Sequence, residues 1–377
     1  MSMPRHIFRD REIGEPSWIY KAMVRKQSKL TDATLAMLFH MTASPAMSSV
    51  DYISAESQVS KRCYEEVVNG FLGDISFQPP DVKFDPGLKR RVEIRLRSYG
   101  ISPELITKIG SCIETATKIS SYSYPFVSPE VLDAIALYAT YVISIDDMTG
   151  EILPDLEKYC SQLVLGQVHE HELLRGFTRF LSDQPPLFGP FGGAMITKGT
   201  MEFIASAVVE RNQNGVPLSH DAADYLVYFR SKTGVAEPFA FFCFPENRNP
   251  EGEDLGRYIS AIPNIMLFLG YVNDLLSFYK EELARDDCPG FVHDYATVHR
   301  SSSTQALRQL RHSTLEEVQK IRHILAGDDR TAQRLNQFIY GYIFYHLSAR
   351  RYKLDELRIP AGREARARVQ ELVQGRP

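Results

Sequence analysis

Three oxygen-bearing side chains recur every fourth residue in the stretch Gly270-Tyr-Val-Asn273-Asp-Leu-Leu-Ser277-Phe-Tyr-Lys280-Glu281. At 100° per residue, Asn273, Ser277 and Glu281 fall within about 80° of one another on the face of an α-helix. Their amide, hydroxyl and carboxylate oxygens suit Mg²⁺, whose coordination is usually completed by substrate phosphates. The preceding residues 262–272 are too apolar for an exposed helix. Half of a metal-diphosphate site and a solvated face with chance spacing both stay open on this stretch alone.

The composition is ordinary for a soluble globular protein. The 377 residues are enough for a large core, in one big domain or two ordinary ones. With 44% hydrophobic residues, 24% charged residues and a net charge of −4, the chain indicates neither a nucleic-acid surface nor a polyanionic tail. Five scattered cysteines without C-x-x-C spacing predict buried free thiols in a reducing compartment.

The N-terminal residues 1–18 are polar and charged, without the apolar run of a signal peptide. The low-charge run at 134–145 is shorter than the roughly 20 residues that cross a bilayer. We therefore expect a cytoplasmic, soluble protein with no membrane insertion.

Another acidic motif, the first in chain order, lies at the end of an apolar helix. The pair Ser128-Pro129 predicts the helix start, with an N-cap and a proline in the first turn. The helix is apolar nearly all round and runs into Asp146-Asp147, two carboxylates that repel each other and are costly to bury. A divalent cation would compensate both. The alternative, a helix that surfaces at Asp146 with Gly150 as its C-cap, stays open, although a helix C-terminus disfavours carboxylates.

Two arginines lie in apolar helical runs. Arg230 precedes Gly234 by one turn, and Gly234 with Pro238 predicts a kink whose freed backbone groups need neighbours or a ligand. In the last long helix, Arg351 shares a face with Tyr340, Phe344 and Leu347.

No segment alternates like a strand for long enough to form a sheet, and we find no convincing repeat, P-loop or GxGxxG motif. The sequence predicts an all-α fold, a single-domain bundle of roughly ten or more helices around an apolar cavity. We expect one domain over residues 1–377. Within it, 1–90 form an N-terminal helical segment that packs on the bundle of residues 91–360, and 361–377 form a polar tail.

If the charged helix ends converge, they form a rim over an apolar pocket. The expected wall residues are Tyr138, Val142, Phe239, Met266, Leu269, Tyr340, Phe344 and Leu347. A pocket with diphosphate chemistry at its mouth and no obvious nucleophile suits ionisation of an allylic diphosphate to a carbocation, shielded from water by inert walls and steadied by aromatic faces.

The stretch from Asn273 to Glu281 matches the N-D-x-x-S-x-x-x-E metal motif of class I terpene cyclases. With Asp146-Asp147 upstream, Arg230 before it and Arg351-Tyr352 near the end, the chain resembles fungal sesquiterpene cyclases of the trichodiene synthase type over about residues 120 to 357. The resemblance implies the class I terpenoid synthase fold and a farnesyl diphosphate substrate. It also implies a homodimer.

The resemblance assigns the metal ligands residue by residue. It implies that Asp146 binds two of three Mg²⁺ ions, with Asp147 in support. Asn273, Ser277 and Glu281 would hold the third ion.

The resemblance also implies roles at the diphosphate. Arg230 would sense the diphosphate, while Lys280, Arg351 and Tyr352 would donate hydrogen bonds to it as charge develops on the leaving group. With Asp146, these residues form the predicted catalytic set.

One position departs from the family pattern. The family has a further acid four residues after its first aspartate, where Gly150 stands here. Glu151 is one residue late, on the face of Asp147 rather than Asp146. The departure suggests a divergent cyclase that forms a trichodiene-type or a humulene-type skeleton.

Two other functions compete with this one. A chain-elongating prenyl diphosphate synthase shares the fold class but normally carries a second aspartate-rich motif, which the sequence lacks. A non-catalytic, all-helical binding protein could keep the helices without turnover. The intact set of Asn273, Ser277, Glu281 and Arg230 disfavours that alternative.

Overall fold

The computed structural model describes residues 59–82, 85–212, 218–284 and 290–374. All of them belong to one compact unit, Glu56–Pro377. The expected packing of residues 1–58 on the bundle lies outside the described residues, and a single domain over 1–377 stays a prediction.

Helices make up most of the described chain, and no strand occurs within those ranges. In chain order they are Lys61–Asp74 (α1), Leu88–Ser98 (α2), Pro103–Lys108 (α3), Gly110–Ser123 (α4), Pro129–Val164 (α5), Glu172–Ser182 (α6), Pro185–Phe188 (α7), Pro190–Asn212 (α8), Ala223–Thr233 (α9), Ala236–Phe241 (α10), Glu251–Tyr258 (α11), Ile262–Phe278 (α12), Phe291–Val298 (α13), Ser303–Ile324 (α14), Asp329–Ser348 (α15) and Pro360–Gln374 (α16). A π-helical turn, Tyr279–Leu283, continues α12, and a 3-10 turn, Arg350–Tyr352, follows α15. The all-α prediction is confirmed.

Helix α5 is buried along most of its first half and packs against α4 and α8. The predicted start is confirmed, because the Ser128 hydroxyl caps the helix. The helix does not end at Asp146, as one interpretation held, but continues with one break at Ile152, beside Pro154. Acidic residues and glycine only weaken a helix, whereas proline removes a backbone donor. Gly150 is therefore an interior helical residue and not a C-cap.

The kink predicted near Gly234 is a complete break between α9 and α10. Gly234 and Val235 lie between the two helices, and Val235 adopts φ 51° and ψ 28°, in the left-handed region. A β-branched residue there is strained, and such strain persists only where the surrounding structure imposes it. The break separates Arg230, on α9, from Phe239, on α10.

Helices α4 and α15 approach each other so closely that only glycine fits at one contact. A Cβ atom on Gly341 would lie 1.9 Å from the backbone carbonyl oxygen of Tyr122. Backbone atoms cannot move aside as a flexible side chain can, so a larger residue would push the helices apart. Gly341 therefore sets the separation of two helices that both line the cavity described below.

The C-terminal residues 361–377 were expected to form a polar tail, but most of them belong to α16, which packs against α15. Ile359, just before this helix, and Ala365, within it, are completely buried. A narrow apolar face is enough to anchor a helix whose composition is otherwise polar.

Four cysteines lie in the described residues, and all four are free thiols, as predicted: Cys63, Cys112, Cys160 and Cys243. The expected burial is confirmed for Cys112 and Cys243, whereas Cys63 and Cys160 are only partly buried. The fifth, Cys288, lies outside the described residues.

One helical run, Glu251–Leu283, is long and apolar enough to cross a membrane by length and composition. Over the most apolar window of this run, 56% is buried inside the protein. The core helix of a soluble protein has the same properties, so the run is weak evidence for a membrane span.

Gly341→Ala should destabilise the protein by at least about 2 kcal/mol, because the new methyl group meets backbone rather than a movable side chain. Gly256 is a matched control in α11, since a Cβ atom there meets nothing within 4 Å. Gly256→Ala should stabilise by about 0.5 kcal/mol through helix propensity. Urea unfolding measures both, and equal stability of the two variants would contradict the close α4–α15 contact.

Candidate active site

A cavity of about 310 Å³ lies among α4, α5, α8, α9, α10, α12 and α15 and receives both acidic motifs. The predicted site residues that line it are Val142, Asp146, Arg230, Phe239, Leu269, Asn273, Lys280, Glu281, Arg351 and Tyr352. Sequence reasoning missed several others, among them Phe203, Val235, Tyr342, Tyr345 and His346. Residues from distant parts of the chain thus meet at one apolar pocket with a charged side.

The Asp146-Asp147 pair divides between two environments. Asp146 lines the cavity. The next residue on the helix points about 100° away, and the Asp147 carboxylate accepts a hydrogen bond from the Cys112 thiol at 3.3 Å. Asp146 is therefore the carboxylate of this pair that is placed to meet a cavity ligand directly.

The second metal motif spans α12 and the π-helical turn that continues it. Asn273 and Glu281 line the cavity, whereas Ser277 does not and is only 2% exposed. Burial raises the pKa of Glu281, and the neighbouring Ser277 hydroxyl and Lys280 ammonium partly counter this shift. π-turns interrupt α-helices most often at functional sites. The turn starts between Ser277 and Glu281, so the spacing of the motif is not that of a regular α-helix.

Arg230 is held by Asp274, a residue that the sequence reasoning did not select. The Arg230 Nε donates to both carboxylate oxygens, at 2.9 and 3.0 Å, and the side chains are 19% and 8% exposed. Although burial disfavours its charge, Asp274 holds the pKa of Arg230 above its ordinary value. A second guanidinium nitrogen donates to Asn273 Oδ1 at 3.1 Å, so the cation also contacts the metal motif.

The other side of the Asn273 amide contacts His346 on α15. The Asn273 Nδ2 lies 3.2 Å from His346 Nε2, and His346 Nδ1 lies 2.8 Å from the carbonyl oxygen of Tyr342. The imidazole is completely buried, and burial lowers its pKa to about 3. Arg230, Asn273 and His346 therefore form a continuous polar network in the cavity wall.

Arg351 and Tyr352 lie in the 3-10 turn after α15 and not on the helix itself, as had been predicted for Arg351. The Arg351 guanidinium carbon lies 5.6 Å from the centre of the Tyr352 ring. Tyr352 raises the pKa of Arg351 most, and the Asp146-Asp147 carboxylates add to the increase. The Arg351 cation is therefore close enough to the first acidic motif to interact with it electrostatically.

Two expected wall residues on α5 and α12 lie elsewhere. Tyr138 is completely buried in the core, with its hydroxyl 2.8 Å from that of Thr200 and its ring against Phe242. Met266 lines a separate small pocket beside Val227. Tyr138 lies one helical turn before Val142, and Met266 lies one turn before Leu269, both of which line the cavity. The cavity therefore lies one turn further along each helix than the sequence predicted.

The stripe predicted on α15 faces away from the cavity. Tyr340 donates to the carbonyl oxygen of Ile75 at 3.3 Å, Phe344 packs edge-on against Tyr122, and Leu347 is buried without lining the cavity. The cavity is lined instead by Tyr342, Tyr345 and His346. Because aromatic residues occur all round α15, their spacing alone could not identify the inner face.

Gly150 and Glu151, four and five residues after Asp146, make contacts outside the cavity. A Cβ atom on Gly150 would lie 3.1 Å from a guanidinium nitrogen of Arg211, on α8. Glu151 forms an ion pair with Lys108 on the surface. A cation thus lies beside the position of the missing acid, and Glu151 is paired outside the cavity.

The available donors fit a magnesium ion better than a softer metal. The residues that would hold it supply only oxygens: Asp146, Asn273, Ser277 and Glu281. The Ser277 hydroxyl is buried beside the Glu281 carboxylate, one turn further along the motif, so the two oxygens lie where they could bind one ion together. Within the same residues, no group of three or more His, Cys, Asp or Glu side chains forms a ready metal site. Such an arrangement suits an ion whose remaining ligands come from substrate phosphates.

Comparison with known proteins places the chain in a family. The model of the trichodiene synthase (TRI5) family matches residues 99–371. An (E)-beta farnesene synthase from Metarhizium brunneum is 31% identical over 315 residues, which cover 83% of this chain and 95% of the relative. A trichodiene synthase from Fusarium sporotrichioides is 26% identical over 252 residues, 66% of this chain and 67% of the relative.

A solved structure shares the fold. The linalool/nerolidol synthase from Streptomyces clavuligerus superposes with a TM-score of 0.53 at 15% identity, over 71% of this chain and 98% of that protein. The predicted class I terpenoid synthase fold is confirmed by this likeness. The family match, which covers most of the chain, and the shared fold identify this protein as a terpene synthase of the trichodiene synthase family.

Proposed function

We propose that the protein is a Mg²⁺-dependent sesquiterpene cyclase, which ionises farnesyl diphosphate, cyclises the carbocation to a hydrocarbon and releases diphosphate. The observation that carries this proposal is that Asp146 and the pair Asn273 and Glu281 line one cavity, whose other walls include apolar and aromatic side chains. Oxygen ligands and apolar walls meet there without an obvious nucleophile. This combination favours leaving-group departure over covalent catalysis.

In this proposal Asp146, supported by Asp147, and the group Asn273, Ser277 and Glu281 hold three magnesium ions. When bound, the ions neutralise charge that develops on the departing diphosphate. The chain supplies the fixed oxygens that decide where this positive charge lies. The family as a whole depends on divalent metal ions, whereas the number three belongs to the proposal.

The cations of the cavity act on the leaving group directly. Lys280, Arg351 and Tyr352 donate hydrogen bonds to the diphosphate, and Arg230 binds it while remaining anchored to Asp274. The apolar and aromatic walls exclude water, which would otherwise quench a carbocation. Aromatic faces such as that of Tyr342 stabilise positive charge.

The names of the relatives favour a C15 chain, since one is a farnesene synthase and another a trichodiene synthase. A humulene-type or trichodiene-type product, a homodimer and a cytoplasmic location are parts of the same proposal, supported by resemblance. Prenyl chain elongation is the second candidate, but no particular observation favours it.

Incubation with C10, C15 and C20 allylic diphosphates and Mg²⁺, followed by gas chromatography with mass spectrometry, tests the proposal. We expect a hydrocarbon from the C15 substrate. A longer prenyl diphosphate formed when isopentenyl diphosphate is added would indicate chain elongation instead. Absence of turnover with all three substrates would contradict catalysis.

Asp146→Ala and Asn273→Ala should each lower product formation at least about 100-fold, because each removes an oxygen ligand that faces the cavity. Circular dichroism should show an unchanged helical fold. Glu151→Ala is the matched control, since this acid pairs with Lys108 outside the cavity, and it should keep its activity. Full activity of either alanine variant, or full activity in excess EDTA, would refute the metal assignment.

Gly150→Asp should not raise turnover substantially, because the new carboxylate meets the Arg211 guanidinium rather than a metal ion. Gly150→Ala lacks the carboxylate and should stabilise the protein by about 0.5 to 1 kcal/mol through helix propensity, whereas aspartate, a weaker helix former, should gain less from this source. Rates and melting temperatures of the two variants are compared. A large rate increase in the aspartate variant alone would mean that a metal ligand is missing from the natural chain.

A further inference from the structure

His346 is completely buried and lines the cavity, yet it belongs to neither acidic motif. Its ring packs between Tyr342 and Tyr352, with ring centres 4.5 and 4.6 Å away. Both ring nitrogens have partners: Nδ1 lies 2.8 Å from the Tyr342 carbonyl oxygen, and Nε2 lies 3.2 Å from the Asn273 amide nitrogen. The packing and the two contacts fix the ring in one orientation.

These partners determine which ring nitrogen carries the proton. A carbonyl oxygen can only accept, so Nδ1 must donate to Tyr342. In a neutral imidazole Nε2 is then an acceptor. The ring is completely buried and contacts a carbonyl oxygen, the Asn273 amide and tyrosine rings, and none of these contacts is an anion that would stabilise a charged imidazolium. Asn273 must therefore turn its NH₂ group, and not its oxygen, towards His346.

The contact between the Asn273 amide and Arg230 independently requires the same orientation of the amide. Arg230 has only donors, and one of its nitrogens lies 3.1 Å from Asn273 Oδ1. A flipped amide would set its NH₂ against the Arg230 guanidinium and its oxygen against the lone pair of His346. Both contacts would become repulsive, and the completely buried Nε2 of His346 would lose its hydrogen bond from the amide.

We infer that His346 is a positioning residue, which keeps the Asn273 side-chain oxygen, rather than its nitrogen, available to the divalent ion. This inference rests on the proposed function. The hydrogen bond to Nε2 forms only when the amide turns its NH₂ group towards His346. Without an acceptor there, nothing on this side would favour that orientation over the flipped one. A side chain that presents NH₂ for part of the time is a poorer ligand, because the amide nitrogen carries two donors and no free lone pair.

The test compares two replacements of His346 in two backgrounds. His346→Gln can keep an acceptor for Asn273, whereas His346→Phe keeps an aromatic ring between the tyrosines but has no acceptor. In the Asn273→Asp background the ligand has two equivalent oxygens and no NH₂, so there is nothing to orient. Mn²⁺ binding in the presence of inorganic diphosphate, followed by electron paramagnetic resonance, measures metal affinity without turnover.

We expect His346→Phe to weaken Mn²⁺ binding by about 10-fold or more with Asn273 present and by less than about twofold with aspartate there. His346→Gln should keep most of the affinity. An equal loss in both backgrounds, an equal loss in the Gln and Phe variants, or no loss at all would overturn the inference. Circular dichroism and thermal melting establish that each variant is folded.

A spectroscopic measurement on the unmodified protein keeps the inference testable if His346→Phe fails to fold. Imidazole ¹⁵N spectra, with the His346 signals assigned by their loss in His346→Gln, should show a neutral ring protonated at Nδ1. A ring protonated at Nε2 would overturn the inference that His346 accepts a hydrogen bond from Asn273. If the unmodified protein bound no Mn²⁺ with diphosphate, the proposed metal site would fail as well. Normal binding without the expected coupling would count against the role of His346 alone.

Discussion

A guanidinium removed from water must be compensated by a fixed negative charge, and Arg230 is compensated by Asp274 across α9 and α12. This buried ion pair joins the helix that ends at the Val235 break to the helix that carries the second metal motif. The same guanidinium also donates to Asn273. Under the proposed function, a change in the position of Arg230 on diphosphate binding would therefore reach Asn273, a proposed metal ligand, through one hydrogen bond.

The rest of the cavity is arranged around this network. Helix α5 passes the cavity with Asp146 on its inner side, and α15 is held against α4 by the contact at Gly341. That contact positions His346, which completes the network on the opposite side of Asn273. Apolar and polar side chains share the walls, and the buried members of the network, such as Asp274 and His346, are largely removed from water, so that their hydrogen bonds and charges have larger effects than they would in water.

Much of this could be predicted from the sequence, and the rest could not, for physical reasons. The order and spacing of Asp146, Arg230 and Asn273 revealed the site because ligand chemistry restricts which residues can occupy such positions. Secondary structure followed from strong local signals such as the Ser128 cap. Spacing could not show which side of α15 faces inward, since Tyr340 and Tyr342 are equally aromatic and only tertiary packing distinguishes them.

Asp274 and His346 were missed for a related reason. Asp274 lies directly next to Asn273, inside the quoted motif, and its ion pair with Arg230 spans 44 residues. His346 lies in an aromatic run and is significant only because of its contact with Asn273, 73 residues away. Local patterns identify residues that bind ligands, whereas residues that orient other residues are found through three-dimensional contacts.

The central claim is that one cavity gathers two sets of oxygen ligands around a metal-diphosphate group. Anomalous diffraction from crystals grown with Mn²⁺ and inorganic diphosphate tests it most directly. The account predicts manganese peaks beside Asp146 and beside Asn273 and Glu281, with the diphosphate bound in the same cavity. Manganese bound only at other carboxylates, such as those of Glu282 and Asp294, would contradict it.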